Sequence, residues 1–563
     1  MIKVLSTNIT SPLGFTTQQN YQAVRAGRSV LSSYMLWRNI PEKFTGSLFS
    51  DAQMDDLMVE GFTRFESIAI RSVEEALSHV DLDVSSPRVL FILSTTKANV
   101  DELAAEEKDD KAYLKPGATA KKIAGHLGIS TEPIVVCNAC ISGVTAQMTA
   151  DRLIGAGHYD YAIVCGADSL SPFVVAGFSS FKSLSPEPCR PFDIERLGLN
   201  LGEAAATIVF GRDCGTEGCW RLVDGNLNND AYHLSAPSPS GEGTLGVIEN
   251  TVRNIDKESL AMVNVHGTAT MFNDQMESKA IERAGLSHVP LTALKGYYGH
   301  TLGASGVLET ILSMAALEDG CILPVKGFEE IGVSGKITLS NTEGQTDKQS
   351  FLKIISGFGG CNGALLYTRT AGHESVNVQT ACPEVSHSVR ITGDSLTVDG
   401  KPVPVSSTGR ALLTEIYKEH IGDYPKFHKM DMFTRLVFVA SELLIQQEGE
   451  TKADDRAIIL FNSTSSVVAD RKHIATTFSK DGFFPSPSVF LYTLPNIVTG
   501  EIAIKQGYKG ETSLYILDSR NDGLMEQITS SSFSQHGTGS ILTGWVDCSD
   551  EDTFEAELKI LTR

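Results

Sequence analysis

Short apolar runs recur along the first two thirds of this 563-residue chain, separated by longer stretches whose apolar residues follow a helical spacing. RVLFIL (Arg88 to Leu93), PIVVC (Pro133 to Cys137) and YAIVCG (Tyr161 to Gly166) predict short buried strands. Between the last two, SGVTAQMTADRLIGAG carries small and apolar residues at helical spacing and ends on glycines, a frequent helix stop. AAATIVFG, MVNVHG and LKIISGFGG continue the strand pattern further on. Strands that alternate with helices predict an α/β fold in which both faces of the sheet are covered.

The pattern then breaks. Residues 371–388 have no sustained apolar period and predict a linker between a domain at 1–370 and another at 389–563. The second domain opens on VRITGDSLTVDGKPVPV, a hairpin pattern with Gly393 and Asp399-Gly400 as turn signals. The residues after this hairpin echo the start of the chain in the same order. FTRFESIAIRSVEEAL (Phe62 to Leu77) is echoed by FTRLVFVASELL (Phe433 to Leu444), LFILSTT (Leu90 to Thr96) by IILFNST (Ile458 to Thr464), and KKIAGHLGI (Lys121 to Ile129) by GEIAIKQGY (Gly500 to Tyr508). The expectation is one and a half copies of a single fold.

Composition narrows the function classes. With 42% hydrophobic and 20% charged residues the chain has enough to bury for several domain-sized units. A net charge of −21 argues against nucleic-acid binding, which needs a basic face. There is no apolar run of membrane-spanning length and no signal-peptide pattern at the N-terminus, and the ten cysteines are scattered, so a cytoplasmic protein is expected. Lys115, Lys121 and Lys122 are candidates for a local basic docking patch, against the plainer reading of a solvated helix face.

The candidate chemistry begins at Cys140 in VVCNACISGVTA, between a strand and a helix start. Free amides and the helix dipole favour a thiolate there, the reactive form of cysteine. Cys137, three residues earlier, leaves open a redox pair or a buried structural cysteine. Two histidine motifs add to Cys140: HGTATMFNDQMESKAI from His266, directly after an apolar run, and KGYYGHTLGASG around His300, a glycine-rich stretch leading into a helix. A carbon–carbon condensing site needs a thiol to hold an acyl group and donors for the enolate left when a malonyl thioester loses carbon dioxide. Two neutral imidazoles can supply those donors.

With NACISG, CRPFDIERLGLNLGEAAA, DAYHLSAPSPSGEG, HGTATMFND, KGYYGHTLGASG and SGFGGCNGA in this order, residues 1–370 resemble a β-ketoacyl–acyl-carrier-protein synthase of the elongating Cys-His-His type, in the thiolase-like superfamily. The resemblance implies a five-layer αβαβα fold of two similar halves, plus here an additional truncated half domain, and a dimer or a pairing with a synthase-like domain. Carried over by position, Cys140 is the acylated nucleophile, His266 and His300 the decarboxylation pair, Lys295 the active-site lysine and Glu277 the carboxylate paired with it. Asp274 belongs to the same polar network, and Thr268 and Thr270 line the phosphopantetheine channel. Phe358 is the gate, its N–H joining that of Cys140 in an oxyanion hole. The family usually has glycine where Ala269 stands and threonine where Cys361 stands, and Cys-Ile-Ser-Gly replaces a commoner nucleophile motif.

The expected reaction is decarboxylative condensation of an acyl thioester with malonyl-acyl carrier protein, in fatty acid or specialised polyketide or polyene synthesis. No metal and no resident cofactor is implied, because phosphopantetheine arrives on the carrier protein. In the C-terminal copy, spacing from Gly128 and Gly507 sets Ser519 against Cys140, and His536 in QHGTGS reads as a surface turn. Such a copy resembles a shortened chain-length factor, with a decayed duplication kept for stability as the other reading. A thiolase using Cys361 and a non-catalytic carrier-binding scaffold are the competing functions.

Overall fold

A computed structural model describes residues 1–104, 115–213, 215, 218–369, 382–449, 453–479 and 482–563. Three groups of five strands carry the fold. The first holds β1 (Ile2–Thr10), β2 (Val89–Ser94), β3 (Ile134–Val136), β4 (Tyr161–Asp168) and β5 (Ala204–Arg212). The second holds β6 (Arg221–Asn229), β7 (Leu260–Asn264), β8 (Leu291–Thr292), β9 (Ser350–Gly357) and β10 (Cys361–Thr368), and the third β11 (Glu384–Thr392), β12 (Ala457–Asn462), β13 (Thr512–Ile516), β14 (Ser540–Cys548) and β15 (Phe554–Thr562).

The spatial order is β3-β2-β4-β5-β1, with the first three parallel and the last two added antiparallel. The second group repeats that order and those directions as β8-β7-β9-β10-β6, and the third as β13-β12-β14-β15-β11. Each group carries three matching helices: α1 (Arg64–Leu77), α2 (Pro116–His126) and α3 (Ser142–Gly155), then α4 (Glu242–Val252), α5 (Met271–Arg283) and α6 (Ser305–Glu318), then α7 (Met432–Gln446), α8 (Ile497–Gln506) and α9 (Asp522–Ser532).

Sequence pattern follows strand position. β2 and β12 are central and parallel, covered on both faces, so VLFILS and AIILFN are buried throughout. β15 lies between antiparallel neighbours and still shows the alternation of a half-covered strand along FEAELK.

The first two groups form the expected five layers. One core lies between the two sheets around α3 and α6, and separate cores lie outside each sheet under α1 with α2 and under α4 with α5. The middle helices approach backbone to backbone. A Cβ on Gly143 would stand 3.0 Å from the Val307 nitrogen, and one on Gly306 would stand 2.8 Å from the Val144 nitrogen. Because both glycines lie in the first turn of their helix, this crossing draws together the loops that precede α3 and α6.

The third group extends the first sheet edge to edge: β13 runs antiparallel to β3, with Tyr515 opposite Val136 and Ile516 opposite Val135. Around this seam Arg152 of α3 bonds Ser532 at 3.1 Å and Gln535 at 2.8 Å and pairs with Glu511 at 2.8 Å, all buried. The expected linker needs correction at its end. Residues 371–381 lie outside the described residues, while Glu384 to Ser388 already belong to β11, where they pair with β15. The expected hairpin is present, with Asp399 and Gly400 at φ 46° and 72°, the left-handed pair a tight two-residue turn requires. Of the three candidate docking lysines, Lys121 pairs with Asp518 of the third group and Lys122 with Glu66, so two of them are engaged within the chain.

Candidate active site

Cys140 lies on the single turn Ala139–Ile141 between β3 and α3. Ala139 has φ 47°, a conformation disfavoured for an L residue, held by Ser142, whose hydroxyl accepts from the Asn138 amide at 2.8 Å and donates to the Ala139 carbonyl at 2.6 Å. The sharp turn presents the half-buried Cys140 side chain to a pocket. The thiolate expected from the helix start meets an opposing effect. Desolvation pushes the thiol up to about 12, against the opposing pull of Lys295, so burial favours the protonated thiol. Cys137 is fully buried and donates to the Thr96 carbonyl at 3.2 Å, and burial raises its thiol as well. Cys361 is buried in the glycine loop, donating to the Phe358 carbonyl at 3.4 Å, with its thiol pushed up by burial.

His266 follows β7 and His300 follows Gly299, whose φ of 70° turns the chain into the α6 loop. Their Nε2 atoms are 3.1 Å apart, and a ring nitrogen of each histidine and the Cys140 Sγ all lie within 4.8 Å of one another. Both tautomers follow from their backbone partners. The Leu302 amide donates to His300 Nδ1 at 3.0 Å and the Ser356 amide to His266 Nδ1 at 3.4 Å. A neutral ring that accepts at Nδ1 carries its proton at Nε2. Burial first, then the Lys295 and Lys353 charges, hold both rings well below the usual histidine range and therefore neutral. At 3.1 Å the two Nε2 atoms are within hydrogen-bond reach of each other, and an oxyanion placed beside Cys140 would take both N–H groups instead. Cys-His-His could in principle ligate a metal ion, but that needs bare Nε2 atoms, and this donor set fits an oxyanion better.

The lysine–carboxylate pair differs from the expectation. Lys295 donates to the His266 carbonyl at 2.6 Å and pairs with Glu309 at 2.7 Å, not with Glu277. Glu277 instead accepts from the His266 amide at 2.7 Å, the Gly267 amide at 2.8 Å and Asn273 at 2.9 Å, clamping the histidine loop from behind, with burial raising it to about 7. Glu309 carried a signal of its own, a buried acid in the otherwise apolar SGVLETILSMAAL of α6, because charges are rarely buried without a partner. Asp274 is also buried behind the loop, accepting from the Phe192 amide at 2.7 Å and raised to about 6 by burial.

Thr268 and Thr270 face each other at 2.8 Å between their hydroxyls, and Thr270 leads to the exposed Met271 and Phe272. Ala269 between them has φ 60°, which explains the glycine expected there. Alanine bears a strain of about 1–2 kcal/mol in that region. Phe358 stacks on Phe178 at 6.1 Å and lies 5.4 Å from Phe181. A Cβ on the preceding Gly357 would stand 3.3 Å from the Cys140 nitrogen, so the Phe358 loop runs alongside the Cys140 amide.

Three participants missed by sequence reasoning come from the third group. Phe490 and Leu494 close the Cys140 pocket together with Val174, Phe178, Leu302 and Phe358, leaving about 20 Å³ free, room for about one water. Asn496 donates to the Phe358 carbonyl at 2.8 Å. Beside the pocket, Lys97 reaches across the seam to Asp470 at 2.6 Å and the Thr493 carbonyl at 2.7 Å, all buried. Their sequence positions held no motif; only the seam brings them to Cys140.

The third group has its own version of the turn that carries Cys140. Ile516 stands opposite Asn462 as Val136 stands opposite Ser94. Asp547 accepts from the amides and hydroxyls of Ser463 and Thr464, much as Asp168 accepts from the Thr95 hydroxyl and the Thr96 amide and hydroxyl. Counting back from the starts of α3 and α9, Arg520, not Ser519, stands where Cys140 stands. Arg520 is exposed and paired with Glu557 at 3.0 Å. His536 is exposed in the turn before β14.

Among known proteins, the models of the β-ketoacyl synthase N-terminal domain and C-terminal domain match residues 2–213 and 221–329. The chain is 27% identical over 411 residues to 3-oxoacyl-[acyl-carrier-protein] synthase 2 of Vibrio cholerae, covering 65% of this chain and 99% of the relative. It is 26% identical over 420 residues to a putative polyketide beta-ketoacyl synthase 1 of Streptomyces cyaneus, covering 66% and 99%. The solved PfaC keto synthase–chain length factor superposes with a TM-score of 0.79 at 15% identity, covering 100% of this chain and 78% of that one. No helix among the described residues is long and apolar enough to cross a membrane.

Proposed function

Because this chain belongs to the β-ketoacyl synthase family, we propose that it joins an acyl group held on Cys140 to a malonyl unit activated by His266 and His300, in a pocket that its own third group closes. The reaction is a decarboxylative condensation on acyl carrier protein, of the kind fatty acid and polyketide synthesis use. The Cys140 sulfur attacks the acyl thioester, and the carrier thiol leaves with the proton that the sulfur gives up. The carboxylate–carbon bond of the malonyl thioester then breaks, carbon dioxide leaves, and the electron pair becomes an enolate. That carbanion attacks the acyl carbonyl, and the Cys140 sulfur departs and is reprotonated as the 3-oxoacyl product forms.

One observation carries the reading: two neutral imidazoles, locked as Nε2–H donors by backbone amides, converge beside the Cys140 sulfur. Each such donor is worth roughly 2.7–4 kcal/mol to a developing oxyanion. Cys140, His266 and His300 cover the chemistry, so we assign no resident cofactor; phosphopantetheine arrives with the carrier. The free cysteines fit a reducing, cytoplasmic setting. The test is carbon dioxide release from malonyl-acyl carrier protein together with mass mapping after acyl transfer. Acyl mass on Cys140 and release abolished in His266→Ala/His300→Ala are expected. Acyl mass on Cys361 or Cys137 with Cys140 unmodified would overturn the reading.

A second reading concerns the third group, which we take to be a catalytically silent, shortened copy of the first. It lacks the nucleophile, it occupies the β3 edge of the first sheet, and it supplies Phe490 and Leu494 to the acyl pocket. That placement supports a role in setting acyl-chain length.

A further inference from the structure

Behind the histidines lies a second lysine that the reaction as described does not use. Lys353 sits on β9, fully buried in SFLKIIS. Its ammonium donates to Glu309 on α6, to the Asn264 side chain of β7 at 2.8 Å, and to the Val265 carbonyl at 3.4 Å. The other oxygen of Glu309 holds Lys295, which bonds the His266 carbonyl. One buried carboxylate thus serves two buried ammonium groups, and two lysines are a costly arrangement for structure alone, since apolar residues would fill the same space without desolvation.

We infer that Lys353 is a positioning residue of the condensing site: it orients Glu309 and hence Lys295, which holds the His266 loop, and the unbalanced positive charge of the trio favours the enolate that forms in front of it. The charged and titratable groups around Lys353 are Glu309, Lys295 and the more distant Glu277, with both histidines in front. Only Glu309 and Glu277 are acidic, and Glu277 is itself raised to about 7 by burial, so the balance stays positive at neutral pH. Both imidazoles are lowered in part by the Lys353 charge, and burial lowers Lys353 itself to about 8, a value at which it is still mostly protonated at pH 7. The sign follows. Removing the charge lets the histidines protonate at a higher pH, and a protonated ring upsets the donor arrangement.

This inference rests on the condensing function proposed above, and the experiment separates the two. Decarboxylation of malonyl-acyl carrier protein by the full chain is measured against pH for wild type, Lys353→Met, Lys353→Gln and Glu309→Gln, with thermal melting to identify variants that do not fold. The acidic limb of kcat/KM is expected to rise by about one pH unit in both Lys353 variants. Glu309→Gln, which removes the compensating negative charge, is expected to lower it. Should Lys353→Met not fold, the other two variants carry the test. A rate that falls equally at every pH, with the limb unmoved in the folded variants, overturns the inference and leaves the function standing. A wild type that releases no carbon dioxide overturns the function instead.

Discussion

Replacing Phe490 with alanine tests whether the third group shapes the acyl pocket. The ring is 1% exposed, crosses Phe178 at 5.6 Å between centroids, and lies 5.3 Å from His473. It is seated on Gly177, where a Cβ would come within 2.1 Å of the Phe490 Cδ2. Truncation vacates space next to a pocket that now holds about 20 Å³. Each acyl methylene that gains a buried place there contributes about 0.8 kcal/mol. One further two-carbon extension then gains about 1.6 kcal/mol, roughly a fifteenfold preference. Docking of the third group weakens at the same time by about 3–5 kcal/mol. The assay supplies malonyl-acyl carrier protein and acyl primers of increasing length and reads products by mass. Phe490→Ala should shift the longest accepted chain upward by at least one extension, and Phe490→Leu by less. Unchanged product lengths with normal turnover would refute the claim that this ring is a wall of the pocket.

Three further outcomes rest on the same geometry. His300→Ala should slow malonyl decarboxylation about 100- to 1000-fold while acylation of Cys140 is affected less, because the lost Nε2–H serves the enolate; equal losses in both half-reactions count against that division. Asp470→Asn keeps an amide oxygen for the buried Lys97 ammonium but removes the negative charge that balances it, and should destabilise the folded chain by about 3–5 kcal/mol in urea denaturation, more than Lys97→Met/Asp470→Leu together; the reverse ranking contradicts it. His473, buried against Phe173, has its ring lowered to about 4. A folded value below the unfolded 6.5 means its contribution is present above pH 6.5 and is lost as pH falls toward 4, about 3 kcal/mol in all, and His473→Gln should flatten that slope.

Much of the site was legible before the fold. Cys140, His266 and His300 sit in local motifs whose spacing relative to strands and glycines is itself the geometry, since a strand–turn–helix puts its turn residue at the sheet end wherever it occurs. The echo of LFILSTT by IILFNST falls on β2 and β12, because strands covered on both faces must be written as unbroken apolar runs. Register was harder to read. A one-residue difference in the loop after Gly507 set Ser519 against Cys140, whereas strand pairing and helix starts set Arg520 there.

What the sequence by itself determined was therefore whatever depends on neighbours along the chain: the α/β alternation, the nucleophile turn, the histidine motifs and the hairpin at Asp399-Gly400. What only the tertiary structure decided depends on residues far apart in sequence meeting in space. Lys295 chose Glu309 over Glu277 because the crossing of α3 and α6 at Gly143 and Gly306 carries Glu309 beneath the histidine loop. Phe490, Leu494 and Asn496 became part of the site because β13 pairs with β3. Burial, a property of the whole fold, pushes the Cys140 thiol up and works against the helix start on which the sequence expectation relied.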